Sequence, residues 1–133
     1  MQVDLTKLNY RFKTKPLLID GKAKEFYGVR VAGKDIDLVV TKEDYENLTK
    51  MYPDNLEDLY GDLGVKIHGF EIWKTICSFT YDELSFGAFE KENLKIASLE
   101  KLLFLAALGM HKEKYHKDLE LIVKKIFEIR YKK

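Results

Sequence analysis

The sequence predicts an α/β domain in which strands alternate with helices and the C-terminal third is helical. Short apolar runs at residues 16–19 and 36–40 have the length and composition of buried strands. From residue 98 onward, apolar residues instead recur at helical spacing. The chain has 133 residues, of which 46% are hydrophobic, so a single domain covering residues 1–133 around one core is expected.

The N-terminal part is predicted to form helix, strand, helix and strand in that order. Residues 4–12 have the apolar spacing of a short amphipathic helix that caps the core. The strand at 16–19 ends at Gly21, because glycine permits the left-handed or close-approach backbone of a strand-to-helix turn. Residues 23–27 then fit a turn or two of helix, and the next strand begins at Asp35.

The middle of the chain is predicted to contain one helix and two further strands. Thr41 is an N-cap, and the helix that follows should end before Pro53. Its inward face is expected to consist of Tyr45, Leu48 and Met51. Residues 54–64 are expected to form a loop with a possible helical turn, and strands at 65–67 and 70–77 should meet near residue 69.

The last part begins with an irregular segment and ends in two helices. Residues 81–92 are expected to form a loop or hairpin, and residues 94–97 a short strand. Ser98 caps a helix that runs to Gly109, and a second helix covers about 112–131. The second helix is expected to face inward with Leu119, Ile122, Val123, Ile126 and Ile129.

Asp35-Ile36-Asp37 is the strongest candidate for a functional site. Because side chains alternate along a strand, Asp35 and Asp37 point to the same face, roughly 6 to 7 Å apart. Ionised carboxylates this close repel each other unless a cation or hydrogen-bond donors lie between them. Magnesium is the natural candidate, because it takes one or two carboxylates together with water and phosphate oxygens. The alternative is a solvated pair of carboxylates at the end of a strand.

An anion site is predicted beside these two aspartates. The backbone N–H groups at Gly21 and Lys22 and the N-terminus of the following helix would face them. A triphosphate with bound magnesium satisfies both sites. Arg30 lies in the spacer before the second strand, where it either reaches a phosphate or pairs with an aspartate.

The segment LLIDGKAKEFYGVRVAGKDIDLVV, residues 17–40, resembles the nucleotidyltransferase superfold and is closest in pattern to its small prokaryotic members. The family signature is a Gly-Gly or Gly-Ser turn, a spacer of this length and an acid-hydrophobic-acid strand. Lys117-Asp118, after a leucine-rich helix, resembles the tail of the family. The resemblance implies a mixed, antiparallel-leaning sheet with helices packed on one side and at both chain ends.

The resemblance implies transfer of a nucleotidyl group from a nucleoside triphosphate to an unknown hydroxyl acceptor, with Mg²⁺ or Mn²⁺. Asp35 and Asp37 would be catalytic residues and metal ligands. The nucleotide-binding residues would be Gly21, Lys22 and Arg30.

Two positions depart from the family pattern. Lys22 stands where the family has Ser or a second Gly, so it either offers a charge to phosphate or points to solvent. The family's third acid aligns with Trp73, but Glu71 is two residues earlier and on the same strand face. Glu71 is therefore the candidate for a third catalytic acid, and an exposed strand carboxylate is the alternative.

Composition limits the classes of partner. The formal net charge is +1 with 34% charged residues, so no overall field attracts nucleic acid or an acidic membrane. Cys77 is the single cysteine, which excludes an intramolecular disulfide. The N-terminus lacks the features of a signal peptide and no apolar run approaches a membrane span, so a cytoplasmic protein is expected.

Two other functions compete with the enzyme. The same fold could serve as a catalytically degenerate binding module, for example in a toxin–antitoxin pair. It could also be an isolated subunit whose substrate domain comes from another chain. A protein partner or a homo-oligomer is compatible with these interpretations. A third carboxylate beside the aspartates would favour the enzyme, and Trp73 in that space would favour the module.

Overall fold

The computed structural model describes residues 3–59, 62–109 and 112–131. Its main sheet consists of β1 (Leu17–Ile19), β2 (Ile36–Val39), β3 (Leu56–Leu59), β4 (Asp62–Ile67), β5 (Phe70–Trp73), β8 (Phe89–Glu90) and β9 (Lys95–Ile96). The strand order is β3-β4-β5-β2-β1-β9-β8. Strands β1 and β9, and strands β2 and β5, run parallel, and the other neighbours run antiparallel. The mixed, antiparallel-leaning sheet predicted from the sequence is therefore present.

The described residues form five α-helices beside the sheet: α1 (Asp20–Phe26), α2 (Lys42–Met51), α3 (Tyr81–Ser85), α4 (Leu99–Leu108) and α5 (Glu113–Arg130). The hydroxyls of Thr41 and Ser98 accept the N–H groups of Asp44 and Lys101, which confirms both predicted N-caps. Helix α4 packs against α1 and α5. Among the described helices, none is both long and apolar enough to cross a membrane.

The central strands are the ones whose apolar runs are continuous. All three residues of β1 are buried, as are the last three residues of β2. A strand buried on both faces reads as an unbroken apolar run rather than an alternating one, which explains why the sequence predicts these strands well. Asp37 is the exception, because it is the one polar residue in β1 and β2 and it is buried with its neighbours.

Several predicted elements differ in the structure. Residues 4–12 contain only a 3₁₀ helix, Leu5–Leu8, which ends at Asn9 in a left-handed conformation with φ 50°. The predicted loop at 54–64 instead forms the 3₁₀ turn Pro53–Asn55, strand β3 and the start of β4, with residues 60 and 61 outside the described part. The sequence signal is weak there because the middle two residues of β3 are exposed.

Two further segments were only partly predicted. Residues 81–92 hold α3, which begins with a capping box between Thr80 and Glu83, and then strand β8. The predicted strand 70–77 is interrupted after Trp73, and the chain continues into a separate two-stranded hairpin, β6 (Thr75–Ile76) with β7 (Phe79–Thr80).

The inward faces of two helices are narrower than predicted. In α2, Tyr45 and Leu48 are buried, whereas Met51 is 43% exposed. In α5, Asp118 and Ile122 are the buried residues of the helix, and Val123 and Ile129 are exposed. Asp118 and Ile122 are four residues apart and share one face, so Val123 is turned about 100° away from the core.

Candidate functional site

Carboxyl groups lie close together where the C-terminal end of β1 is beside the N-terminal ends of β2 and β5. This end of the central strands, with Asp20, Asp35, Asp37 and Glu71, is here named the carboxylate edge. Asp37 on β2 is the register partner of Glu71 on β5 and of Ile19 on β1. Register partners on adjacent strands lie on the same face, so Asp37 and Glu71 are side by side. Asp20 follows Ile19 at the point where β1 turns into α1, with a left-handed φ of 55°.

Asp37 is strongly perturbed by this setting. It is 7% exposed, and it shares a side-chain hydrogen bond with Glu71. Burial, that hydrogen bond and the negative charges of Asp20, Glu71 and Asp35 together raise the pKa of Asp37 to about 9. The Asp37 carboxyl therefore retains its proton at neutral pH, and a cation bound beside it would favour its ionised form.

Asp35 lies just before β2 and is exposed, on the same side as Asp37. Within residues 3–59, 62–109 and 112–131, no three His, Cys, Asp or Glu side chains converge as a ready-made metal site. Two carboxylates suffice for magnesium, because this ion completes its shell with water and phosphate oxygens. The oxygen-only donors of Asp35 and Asp37 thus fit a hard divalent cation that keeps several waters.

Two cavities open beside these carboxylates, and Asp20, Asp35 and Asp37 line both of them. The first, here named the apolar cavity, has a volume of about 170 Å³. It is lined by residues of the sheet and of α4, and Glu71 is among its polar residues. Its walls include Trp73, Ile76, Leu102, Leu105, Ala106 and Tyr115.

The second cavity, here named the lysine cavity, has a volume of about 560 Å³. Its basic residues come from the segment before β2 and from α5, namely Arg30, Lys34, Lys114 and Lys117. Among the described residues that line it, Leu121 is the only one with an apolar side chain, apart from the glycines. The two cavities therefore differ in character, although they share the carboxylate edge.

A buried network of ion pairs links Asp20, at the carboxylate edge, to Lys24 and Asp118. Lys24 is 2% exposed, and its Nζ lies 2.7 Å from Asp20 Oδ1 and 2.7 Å from Asp118 Oδ2. The Lys24 ammonium also lies 5.1 Å from the centre of the Tyr115 ring, and the Tyr115 hydroxyl donates to Asp20 Oδ2 at 3.2 Å. The contacts of the Asp20 carboxylate with Lys24 and with the Tyr115 hydroxyl stabilise the left-handed conformation of Asp20.

Arg30 joins the same network. Its Nε donates to Asp118 Oδ1 at 2.7 Å and its second terminal nitrogen donates to Asp118 Oδ2 at 3.1 Å, which is a bidentate pair. Burial acts to raise the pKa of Asp118, but the hydrogen bonds from Arg30 and Lys24 outweigh it and lower that pKa. Of the two interpretations of Arg30, pairing with an aspartate is observed, and binding of nucleotide stays a prediction.

The turn after β1 differs from the sequence-based expectation. Gly21 lies in α1 without a left-handed φ, and an added Cβ would meet Ala32 Cβ and an Arg30 terminal nitrogen at 3.7 Å, an ordinary contact distance. The prediction that this position excludes a Cβ is wrong, because the left-handed residue of the turn is Asp20. Gly21 does line the lysine cavity, and Lys22 is half-buried on α1.

The sequence left open whether Glu71 or Trp73 lies beside Asp37. Glu71 is the register partner of Asp37, whereas Trp73 pairs with Val39 one step farther along the strand face and lines the apolar cavity. The space beside Asp37 is therefore taken by a carboxylate. Sequence reasoning missed Asp20 and Lys24, because the helix was predicted over 23–27 and their i, i+4 pairing requires it to begin at Asp20, as observed.

Comparisons of the chain with family models, with curated proteins and with solved structures gave no match. The resemblance to nucleotidyltransferases consequently depends on residues 17–40 and on the tail around Lys117-Asp118.

Proposed function

We propose that this protein transfers a nucleotidyl group from a nucleoside triphosphate to a hydroxyl acceptor, using Mg²⁺ or Mn²⁺. The observation that carries the proposal is the position of buried Asp37, which lies beside Glu71 on the next strand and near Asp35, and which lines two cavities. Strongly perturbed carboxyl groups in a cleft are typical of catalytic sites. The lysines at the same edge supply the positive charge that a polyphosphate requires.

Asp35 and Asp37 would hold the metal, and Glu71 would lie next to them. When bound, the ion supplies charge that offsets the negative charge developing on the phosphate oxygens. Asp37 would lose its proton when the cation binds, because the cation stabilises the ionised carboxylate.

In this proposal, Glu71 accepts the proton of the acceptor hydroxyl. The hydroxyl oxygen attacks the α-phosphorus, and the bond from that phosphorus to the bridging oxygen breaks, which releases pyrophosphate. Lys114 and Lys34, which line the lysine cavity, stabilise the charge of the leaving pyrophosphate. Burial of Asp37 strengthens these electrostatic effects, because the local dielectric is low.

A nucleotide-binding module without catalysis is the second candidate. It is favoured by two observations, namely that Arg30 is already engaged by Asp118 and that Gly21 lies inside a helix. Both residues were expected to contact phosphate, and neither is arranged as an open phosphate-binding turn. A module of this kind would bind nucleotide at the carboxylate edge and release no pyrophosphate.

The deciding experiment is a screen of the four ribonucleoside triphosphates with magnesium for pyrophosphate release and for label transfer to candidate acceptors or to the protein. Wild type should turn over with at least one nucleotide, and Glu71→Gln should lower the rate by roughly 100-fold or more. Glu57→Gln is the matched control, because Glu57 is an exposed strand carboxylate on β3.

The outcomes separate the two candidates. Turnover that Glu71→Gln abolishes and Glu57→Gln preserves supports the enzyme. Nucleotide binding with no pyrophosphate release under any condition supports the binding module. Equal rates for wild type and Glu71→Gln would remove Glu71 from the catalytic site.

A further inference from the structure

We infer that the nucleotide lies across the carboxylate edge, with its polyphosphate in the lysine cavity and its base in the apolar cavity. This inference rests on the proposed function, and it assigns the parts of the substrate to named residues. It places the phosphates on Lys34, Lys114 and Lys117 instead of on the turn at Gly21 and Lys22.

The charges of the lysine cavity support the first half of this assignment. Arg30 is engaged by Asp118, and Asp20 is engaged by Lys24. After these pairs are set aside, the described lining keeps three ammonium groups, on Lys34, Lys114 and Lys117, against the carboxyl groups of Asp35 and Asp37.

Those three lysines are well suited to a polyanion. In the described part of the chain, no carboxylate lies within 4.0 Å of their ammonium groups, which contrasts with the closely paired Lys24. Lys114 lines both cavities, so it is placed where the phosphates would join the rest of the nucleotide. The cavity volume of about 560 Å³ is within the usual range for ligand sites.

The apolar cavity supports the second half. Its volume of about 170 Å³ is close to that of a cavity that binds benzene, so it accommodates one planar ring system but not a whole nucleotide. Trp73 and Tyr115 supply aromatic surface, and Leu102 and Leu105 supply aliphatic surface. The lysine cavity has no aromatic residue among its described lining, so a base finds stacking partners only on the apolar side.

The phosphate half is tested by titrating the full chain with magnesium tripolyphosphate, measured by isothermal titration calorimetry. Lys114→Ala should raise the Kd at least about tenfold, because a charged hydrogen bond is lost. Lys124→Ala should leave the Kd within about twofold. Lys124 is the matched control, since it is an exposed lysine on the same helix whose ammonium pairs with Glu120 away from the cavities. A large loss in Lys22→Ala together with none in Lys114→Ala would overturn the assignment.

The base half is tested with the fluorescence of Trp73, the single tryptophan of the chain. Trp73 is 6% exposed and lines the apolar cavity, so its emission reports on occupancy there. At least one of the magnesium complexes of ATP, GTP, CTP and UTP should change the emission, whereas magnesium tripolyphosphate should bind without changing it.

Failure of the inference differs from failure of the proposed function. If the nucleotides bind by calorimetry and Trp73 emission stays constant for all four, the base lies elsewhere and the placement is refuted while the function stands. If none of the four nucleotides binds, both are refuted. An equal emission change with tripolyphosphate would also refute the division into two cavities.

Discussion

Replacing Asp118 with asparagine should destabilise the protein strongly while leaving its shape unchanged. The wild-type carboxylate accepts from Lys24 Nζ at 2.7 Å and from Arg30 at 2.7 and 3.1 Å. Asparagine keeps the volume of the side chain but removes its charge. The buried ammonium of Lys24 would then have Asp20 as its remaining carboxylate partner in the described structure.

The expected magnitude follows from the burial of the pair. Side-chain exposure is 2% for Lys24 and 5% for Asp118. Breaking a buried ion pair by removing one partner typically costs about 3–5 kcal/mol, because the other charge is left without compensation. The Asp20 contact retains part of the compensation, so about 3 kcal/mol is expected. For a domain of this size that corresponds to a drop in Tm of about 10 °C.

Urea denaturation followed by circular dichroism measures this change, with Glu120→Gln as the control. Glu120 pairs with Lys124 at 3.0 Å on the same helix, but both side chains are more than 60% exposed. A surface pair of this kind contributes about 0–1 kcal/mol. If Asp118→Asn and Glu120→Gln lowered the free energy of unfolding by the same small amount, the buried network would not have the role assigned to it.

Lowering the pH should weaken the contacts of Asp118 with Arg30 and Lys24, and the free energy of unfolding should report this. Because the hydrogen bonds from Arg30 and Lys24 lower the pKa of Asp118 below its ordinary value of 3.8, its contribution to stability is complete above that value. The contribution is lost as the pH falls through the lowered pKa. The free energy of unfolding of wild type should therefore decrease more steeply on acidification than that of Asp118→Asn.

The remaining predictions concern one titration and a pair of glycines. In metal-free buffer, Asp37→Asn should raise the Tm, and the rise should be larger at pH 8 than at pH 5. The pKa of Asp37 is raised from 3.8 to about 9 in the folded protein, so between these values the unfolded state gains stability from ionisation that the folded state does not. A rise in Tm that is the same at both pH values would contradict this. Gly64→Ala should cost about 1–3 kcal/mol in urea denaturation, because its Cβ would lie 2.8 Å from Leu59 Cδ1 and 3.1 Å from the Ile72 carbonyl oxygen. Gly21→Ala should be neutral or stabilising by up to about 1 kcal/mol, because a helical Cβ meets only ordinary contacts there, and the reverse order of the two variants would be inconsistent with the structure.

The sequence was most informative where apolar patterning was continuous. Strands β1, β2 and β5 were predicted from their apolar runs, and the same-face spacing of Asp35 and Asp37 follows from strand geometry. The second half of β4 was predicted at 65–67, but β3 and the start of β4 were missed. The middle residues of β3 are charged and exposed, and an edge strand of this kind resembles a loop in a single sequence.

The ion-pair network was not predictable from local pattern. Lys24 and Asp118 are 94 residues apart in the chain, and only the packing of α5 near α1 brings them together. The position of the turn was predicted correctly, but its left-handed residue was not. Glycine is the usual choice for φ above zero, whereas here Asp20 adopts it with support from Lys24 and Tyr115.

Binding of Mn²⁺ followed by electron paramagnetic resonance tests most directly whether the carboxylate edge holds a divalent cation. Wild type in the presence of a nucleoside triphosphate should bind one Mn²⁺, with an affinity that falls by at least about tenfold in Asp37→Asn because a charged ligand is lost. Glu57→Gln should bind as wild type does. Mn²⁺ binding that is identical in wild type and Asp37→Asn would contradict the account of this site.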